Sequence, residues 1–299
     1  MRVLITGASG LIGKALQKSF AEKGYEMLLA SRSEPKDARS VQWNPDSGFT
    51  DAALEKLEGL NGVIHLAGES ISAIRWTDEK KKAIRDSRVF GTRSMIEAFD
   101  KLERKPTTFI SGAAIGYYGD RGDEVLTESS PAGKTFLADI SKEWEAESRR
   151  AEDLGIRTVL LRTGIVLSKD GGALTTMMMP FKLGVGGVVG SGKQWMSWIS
   201  LDDVVAIINF ALENESVRGA INVVAPNPVT NEEFTKTLGT VLYRPTFLPL
   251  PEFAVHMVFG EMGDALLLDS TRVAPKRLLD AGYEFKFTDL KAALEHAVK

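Results

Sequence analysis

Six short runs along the chain are almost unbroken in apolar residues: Val3-Leu4-Ile5, Glu26 to Ala30, Val63 to Ala67, Thr108 to Ser111, Thr158 to Arg162 and Ala220 to Val224. Each predicts a strand, and the absence of apolar/polar alternation predicts that both faces of the sheet are covered. Longer stretches between them carry apolar residues at helical spacing. Leu11, Ile12, Ala15, Leu16 and Phe20 mark a helix over 11–23, ended by Gly24. Thr77 to Leu102 predicts a long helix, with Thr77 as N-cap and Lys80, Lys81 and Lys82 on its solvated face. Ala138 to Leu154 predicts another, rich in Glu and Lys and stopped by Gly155. Strands alternating with helices predict an α/β chain built as a doubly wound parallel sheet, a Rossmann fold.

The alternation loosens after Arg162. Residues 164–198 hold a Met-rich helix (Thr175 to Leu183) and a glycine-rich stretch, Gly184 to Gly192. A second departure begins at Pro226 and ends in a helical tail, Thr288 to Val298. The expected division is a Rossmann domain over 1–163 plus 199–226, and a small C-terminal substrate lobe over 164–198 plus 227–299.

Composition narrows the chemistry. None of the 299 residues is Cys, which removes disulfides, thiolate nucleophiles and thiolate metal sites. The three His residues (His65, His256, His296) are scattered, so no metal site is expected. Lys+Arg 37 against Asp+Glu 40 leaves no basic excess for a nucleic-acid backbone. No apolar run is long enough to span a membrane. MRVLITGASG meets a glycine loop before any signal-peptide core could form. The expectation is a cytoplasmic protein that binds a small molecule, with a homodimer left open.

The glycine loop is the first motif with a mechanism. Thr6-Gly-Ala-Ser-Gly-Leu-Ile-Gly13 places Gly7 for a tight turn, Gly10 for close approach of a pyrophosphate and Gly13 for close helix packing. Leu11 and Ile12 open the helix and offer free N–H groups to phosphate. Its position between a predicted strand and helix is the context that dinucleotide binding requires. At the end of the second strand an acid would select NAD. Here stand Ala30-Ser31-Arg32-Ser33, and no acid until Glu34. Arg32 can pair with a 2′-phosphate and Ser31 can add a hydroxyl, which predicts NADP.

Several further motifs occur in a fixed order: Leu66-Ala-Gly-Glu-Ser70, Arg75-Trp-Thr77, Arg85-Asp-Ser-Arg88, Gly91-Thr92, Gly116-Tyr-Tyr-Gly119, Ser141-Lys-Glu-Trp-Glu145, Leu161 to Leu167 and Trp195-Met-Ser-Trp198. With the glycine loop they resemble the extended short-chain dehydrogenase/reductase superfamily. The nearest likeness is its atypical, nucleotide-sugar-epimerase-like subgroup, an NADP-dependent epimerase family. The resemblance implies that Leu66, Ala67 and Gly68 pass under the adenine-side ribose and phosphates. It implies that Thr163, Gly164 and Ile165 line the nicotinamide side. It also implies that Arg88, where the wider superfamily has Asn, contacts the cofactor.

The same resemblance exposes a gap in the catalytic set. The superfamily uses a Tyr four residues before a Lys, on one helical face, assisted by an upstream hydroxyl. Lys142 is present, but Ala138 stands where the Tyr belongs, and the hydroxyl position falls at Ala113 or Ala114. Three readings follow. The acid/base role moves to Tyr117, Tyr118 or Glu69; or Lys142 alone positions cofactor and substrate; or catalysis is lost. Lys142, Tyr117 and Ser111 are carried as catalytic candidates, and Glu69, Arg75, Tyr118 and Trp195 as substrate contacts. Plain alternatives stand beside them: a surface Glu69–Arg75 pair, Lys142 solvated beside Glu145, and Tyr or Trp rings that merely pack. The leading functional expectation is oxidoreductase or epimerase chemistry on a nucleotide-sugar-like or carbonyl substrate. The rivals are a non-catalytic NADP-binding regulator, as cell-division-associated relatives imply, and a reductase of small carbonyls.

Overall fold

The computed structural model describes all 299 residues. In chain order, β1 (Arg2–Thr6) leads through α1 (Leu11–Glu22) to β2 (Glu26–Ser31), β3 (Ser40–Asn44) and β4 (Gly48–Phe49). Next come α2 (Asp51–Leu57), β5 (Gly62–His65), α3 (Asp78–Lys101), β6 (Thr108–Ala114), β7 (Val125–Leu126), α4 (Phe136–Asp153) and β8 (Arg157–Thr163). Then follow β9 (Ile165–Leu167), α5 (Ala173–Lys182), β10 (Trp195–Met196), β11 (Trp198–Ser200), α6 (Leu201–Glu213) and β12 (Gly219–Val223). The remainder holds β13 (Val229–Thr230), α7 (Asn231–Leu242), α8 (Glu252–Phe259), α9 (Glu261–Gly263), β14 (Arg272–Val273), α10 (Lys276–Asp280) and α11 (Leu290–Val298).

The eight-stranded sheet runs β12-β8-β6-β5-β1-β2-β3-β4. It is parallel except for the β3–β4 hairpin at one edge. Successive residues of each strand serve opposite cores. Val3 and Ile5 pack with Leu16 and Phe20 of α1 and Val204, Ile207 and Ile208 of α6. Leu4 joins Met95, Ile96 and Phe99 of α3 on the other face. This is the doubly wound α/β fold expected from the unbroken apolar runs. The chain winds outward in both directions from β1, so a crevice opens at the carboxyl ends of β1 and β5.

A third core unites Leu167, Leu174, Met178, Phe181, Trp198, Phe234, Leu238 and Leu294, drawn from β9, α5, β11, α7 and α11. Trp198 is fully buried there, and of the three consecutive methionines Met178 is buried while Met179 is exposed.

Some boundaries differ from expectation. The strand read as 63–67 ends at His65, because Leu66 and Ala67 turn out of the sheet. Of the three consecutive lysines on α3 only Lys82 is solvated. Lys80 pairs with Glu69 at 2.6 Å, and Lys81 pairs with Glu261 and lies over the Phe136 ring. The Lys81–Glu261 pair sets the start of α3 against α9.

Candidate active site

The glycine loop has the geometry that its sequence demands. Gly10 N–H donates to Gly7 O at 2.9 Å, closing the turn. Gly7 has φ +67°, and a Cβ on it would lie 2.8 Å from the Leu66 carbonyl. A Cβ on Gly13 would lie 2.3 Å from Gly7 O and 2.7 Å from Ala8 Cα. Both glycines therefore permit backbone to touch backbone. Gly10 is exposed, with an ordinary φ of −75°. Helices α2, α3, α4, α6, α7 and α11 begin with a Thr, Ser or Asp whose side chain accepts a backbone N–H. Helix α1 begins at Gly10, which has no side chain to cap it. The N–H groups of Leu11, Ile12 and Gly13 have no acceptor within the chain, and they meet the positive end of the helix dipole.

Thr6 ties this loop to β5. Its Oγ1 accepts from Leu66 N and Ala67 N, each at 3.1 Å, and lies 2.8 Å from His65 Nδ1. A hydroxyl has one proton, so Thr6 donates it to Nδ1, and the His65 proton sits on Nε2. Nε2 is buried without a hydrogen-bond partner, with the ring between Trp43 and Phe109. Burial pushes the His65 imidazole down to about 4. An unfolded His titrates near 6.5, so the unfolded chain binds the extra proton first on acidification. His65 should therefore contribute stability that is full above pH 6.5 and declines, by at most about 3 kcal/mol, as the pH falls toward 4. Asp269 has the opposite slope, because burial, then Asp120 and Asp264, push its carboxyl up to about 6. Comparing wild type with His65→Asn cancels that contribution. The variant should be less stable at pH 7 and should lose the acid-side slope; equal slopes would contradict the assignment.

Past Ala67, the loop into α3 is pinned from beneath. Arg88 Nη1 donates to Glu69 O at 2.9 Å and Ile84 O at 3.0 Å, and its guanidinium lies 5.3 Å from the Trp144 ring centroid. A Cβ on Gly68 would lie 3.4 Å from that guanidinium. Burial lowers Arg88 to about 10, and its two carbonyl partners and the Trp144 ring set it apart from a solvated helix Arg. Glu69 and Arg75 do not pair. Lys80 holds the Glu69 carboxyl below its usual range. Arg75 Nε donates to Val258 O at 2.9 Å and Nη2 to Met257 O, placing its cation on the C-terminus of α8. Arg75 thereby joins the loop before α3 to α8, with its Nε and Nη2 donors engaged there.

Ser31 and Arg32 are exposed at the carboxyl end of β2. Ser31 Oγ bonds Ser33 O at 3.2 Å, whereas no carboxylate lies within salt-bridge distance of Arg32. Thr163, Gly164 and Ile165 lie half-buried at the end of β8, two strands from β5. The chain crosses so closely there that a Cβ on Gly164 would lie 2.5 Å from Ser197 O. The predicted cofactor residues of the loops after β1, β2, β5 and β8 thus lie at the carboxyl ends of the parallel strands.

The catalytic candidates separate. Tyr117 lies half-buried in a turn just after β6, its ring centroid 3.5 Å from the Arg162 guanidinium carbon, and its hydroxyl makes no hydrogen bond within the chain. Tyr118 is fully buried, which removes it as a substrate contact. Its hydroxyl bonds Arg162 Nη1 at 2.9 Å and Asn222 Oδ1 at 2.7 Å, and burial raises its pKa. Ser111 is also fully buried, accepting from Ser148 Oγ at 2.9 Å between β6 and α4, so it has no access to a cleft. Lys142 is exposed and pairs with Asp139 at 2.7 Å, not with Glu145. Glu145 is buried against Arg162, at 2.7 and 2.9 Å. Trp195 is half-buried, its Nε1 donating to Asp123 at 2.8 Å and its face covered by Arg272 at 4.1 Å. The buried Arg162–Glu145 pair and the Thr6–His65 link were not expected from sequence. Arg162 ends an apolar run and His65 lies inside another, which was their only signal.

Residues 3–224 match the NAD dependent epimerase/dehydratase family, and residues 250–297 match a domain of unknown function, DUF1731. An epimerase family protein of Mycobacterium bovis is 40% identical over 295 residues, covering 99% of this chain and 97% of its own. The crystal structure of human epimerase family protein SDR39U1 with NADPH superposes with TM-score 0.89 at 35% identity, covering 99% of both chains. The UDP-glucose 4-epimerase of Thermus thermophilus, in complex with NAD, shares the fold at TM-score 0.79 and 18% identity, covering 100% of this chain and 98% of its own.

Proposed function

Since this chain belongs to the NAD dependent epimerase/dehydratase family, we propose that it is an NADP-dependent oxidoreductase of epimerase type, acting on a hydroxyl or carbonyl group of a small molecule, nucleotide-sugar-like or simpler. The observation that carries the reading is the uncapped start of α1, where three free N–H groups face a glycine cradle, with Arg32 unpaired at the end of β2. Those donors suit a pyrophosphate and a 2′-phosphate. The NADPH in the human relative supports the same cofactor here.

Bound in this crevice, the nicotinamide would supply reversible hydride transfer. The chain's residues do the rest. Leu11 and Ile12 N–H groups hold phosphate, Ser31 and Arg32 read the 2′-phosphate, and Arg88 keeps the Gly68–Glu69 backbone in place. Thr163 to Ile165 flank the reacting end. Tyr117 exchanges a proton with the substrate oxygen, since its hydroxyl is uncommitted and its ring is held by Arg162. Lys142, at the exposed start of α4, orients the reactants.

NADPH oxidation over a panel of nucleotide sugars and carbonyls tests the proposal. Turnover should fall by about 100-fold or more in Tyr117→Phe, with NADPH affinity within about twofold of wild type. Tight NADPH binding without turnover of any substrate would favour the non-catalytic regulator. One observation speaks for that reading: buried Ala138 stands where the superfamily carries its Tyr.

A further inference from the structure

A cavity of about 1130 Å³ lies away from the cofactor crevice. It opens beside the amino ends of β8 and β12, bordered by Gly155 to Thr158 and by Gly219. Five arginines and four glutamates (Glu128, Glu152, Glu213 and Glu215) line it, and two of the arginines are spent. Arg157 donates to Ala211, Leu212, Asn214 and Val217 carbonyls, and Arg162 is bound to Glu145. The other three are not. Arg218 and Arg277 have no carboxylate within salt-bridge distance, bonding only the Glu215, Arg218 and Ala220 carbonyls. Arg149 reaches Glu145 at 3.5 Å and Glu152 at 4.0 Å, both long contacts.

Gly219 shows how these cations are arranged. It has φ +67°, and a Cβ on it would lie 3.1 Å from Arg277 Nη1 and 3.9 Å from Arg149 Nη1. Both guanidinia therefore border one gap, which the glycine leaves open. An anion between these two like charges would offset their repulsion more closely than the long contacts of Arg149 do. Guanidinium forks match the oxygens of a phosphate. Only four of the twenty lining residues are hydrophobic, which disfavours an apolar ligand. Glu152, Ser129 and Thr107 supply hydroxyl-binding groups on the same walls.

We infer that this cavity is a second ligand site, for a phosphorylated polyhydroxy small molecule, with Arg149, Arg218 and Arg277 on the phosphate. Titration calorimetry on the full chain, with inorganic phosphate, glucose 6-phosphate and glucose as probes, tests it. Glucose 6-phosphate should bind at least about fivefold more tightly than phosphate, and glucose not measurably. Arg149 and Arg218 are exposed, so Arg149→Gln/Arg218→Gln should remain folded while losing tenfold or more in sugar-phosphate affinity. Arg32→Ala, which alters the cofactor crevice, should bind the sugar phosphate as wild type does. Binding lost in Arg32→Ala but kept in the double variant would place the anion at the cofactor loop and overturn the inference. Failure of wild type to bind the sugar phosphate, or binding only of an acidic peptide such as poly-glutamate, would overturn it too.

Discussion

Replacing Glu145 with alanine is expected to lower the unfolding free energy by about 3–5 kcal/mol, the usual cost of stranding one charge of a buried pair. Arg162 and Glu145 are each almost wholly buried. Burial alone would weaken the Arg162 charge, but Glu145 and the Tyr118 hydroxyl more than offset it and hold the guanidinium above its ordinary range. With Glu145 gone, Arg162 would keep only Tyr118 and the Glu128 carbonyl as polar partners. Urea unfolding would show the loss as a lower midpoint at unchanged slope. The double variant Glu145→Leu/Arg162→Met should recover most of it, because an apolar pair of similar volume carries no desolvation cost. It should not recover turnover, since the cation over the Tyr117 ring is gone. A Glu145→Ala loss under about 1 kcal/mol would mean that water reaches the pair.

The glycine loop yields the second large effect, and two adjacent substitutions divide it. Gly13→Ala drives a methyl into the Gly7 carbonyl and the Ala8 backbone, which cannot give as a flexible side chain would. A loss of about 1–3 kcal/mol in stability and of roughly 10- to 100-fold in NADPH affinity should follow. Gly10→Ala meets nothing closer than Gly7 O at 3.2 Å and keeps an ordinary φ. It should leave stability within about 0.5 kcal/mol while weakening NADPH by a similar factor, because its methyl stands where the pyrophosphate must approach. Thermal unfolding and fluorescence titration of the two variants separate these roles. Unchanged NADPH affinity in Gly10→Ala would place the phosphates elsewhere.

The sheet was legible because parallel strands covered on both faces must be apolar throughout, and Val3 to Ile5 or Thr158 to Leu161 carry that pattern. Strands β3 and β4 escaped it: they lie at an edge, and Gln42 and Asn44 interrupt the apolar run. Helix α6 escaped for the opposite reason, since the unbroken Val204 to Ile208 has no helical period to read. The cofactor loop was readable because its chemistry is local, held within eight residues of one turn. The catalytic side was not. Tyr117 and Tyr118 are neighbours whose fates differ only because the turn after β6 sends one toward Asn222 and leaves the other half-buried over Arg162. Arg162 and Glu145 meet only when α4 packs on β8, and Thr6 and His65 only when β1 pairs with β5. Such partners follow from topology, and spacing along the chain does not announce them.

The most direct test of the central claim is a side-by-side titration of NADPH and NADH into wild type and Arg32→Ala. Wild type should prefer NADPH by about 1.5–3 kcal/mol, roughly 10- to 150-fold, as a charge-assisted contact to one phosphate would give. Arg32→Ala should lose most of that preference while binding NADH almost unchanged. Equal affinity for the two cofactors in wild type, or a preference that survives the substitution, would contradict the account.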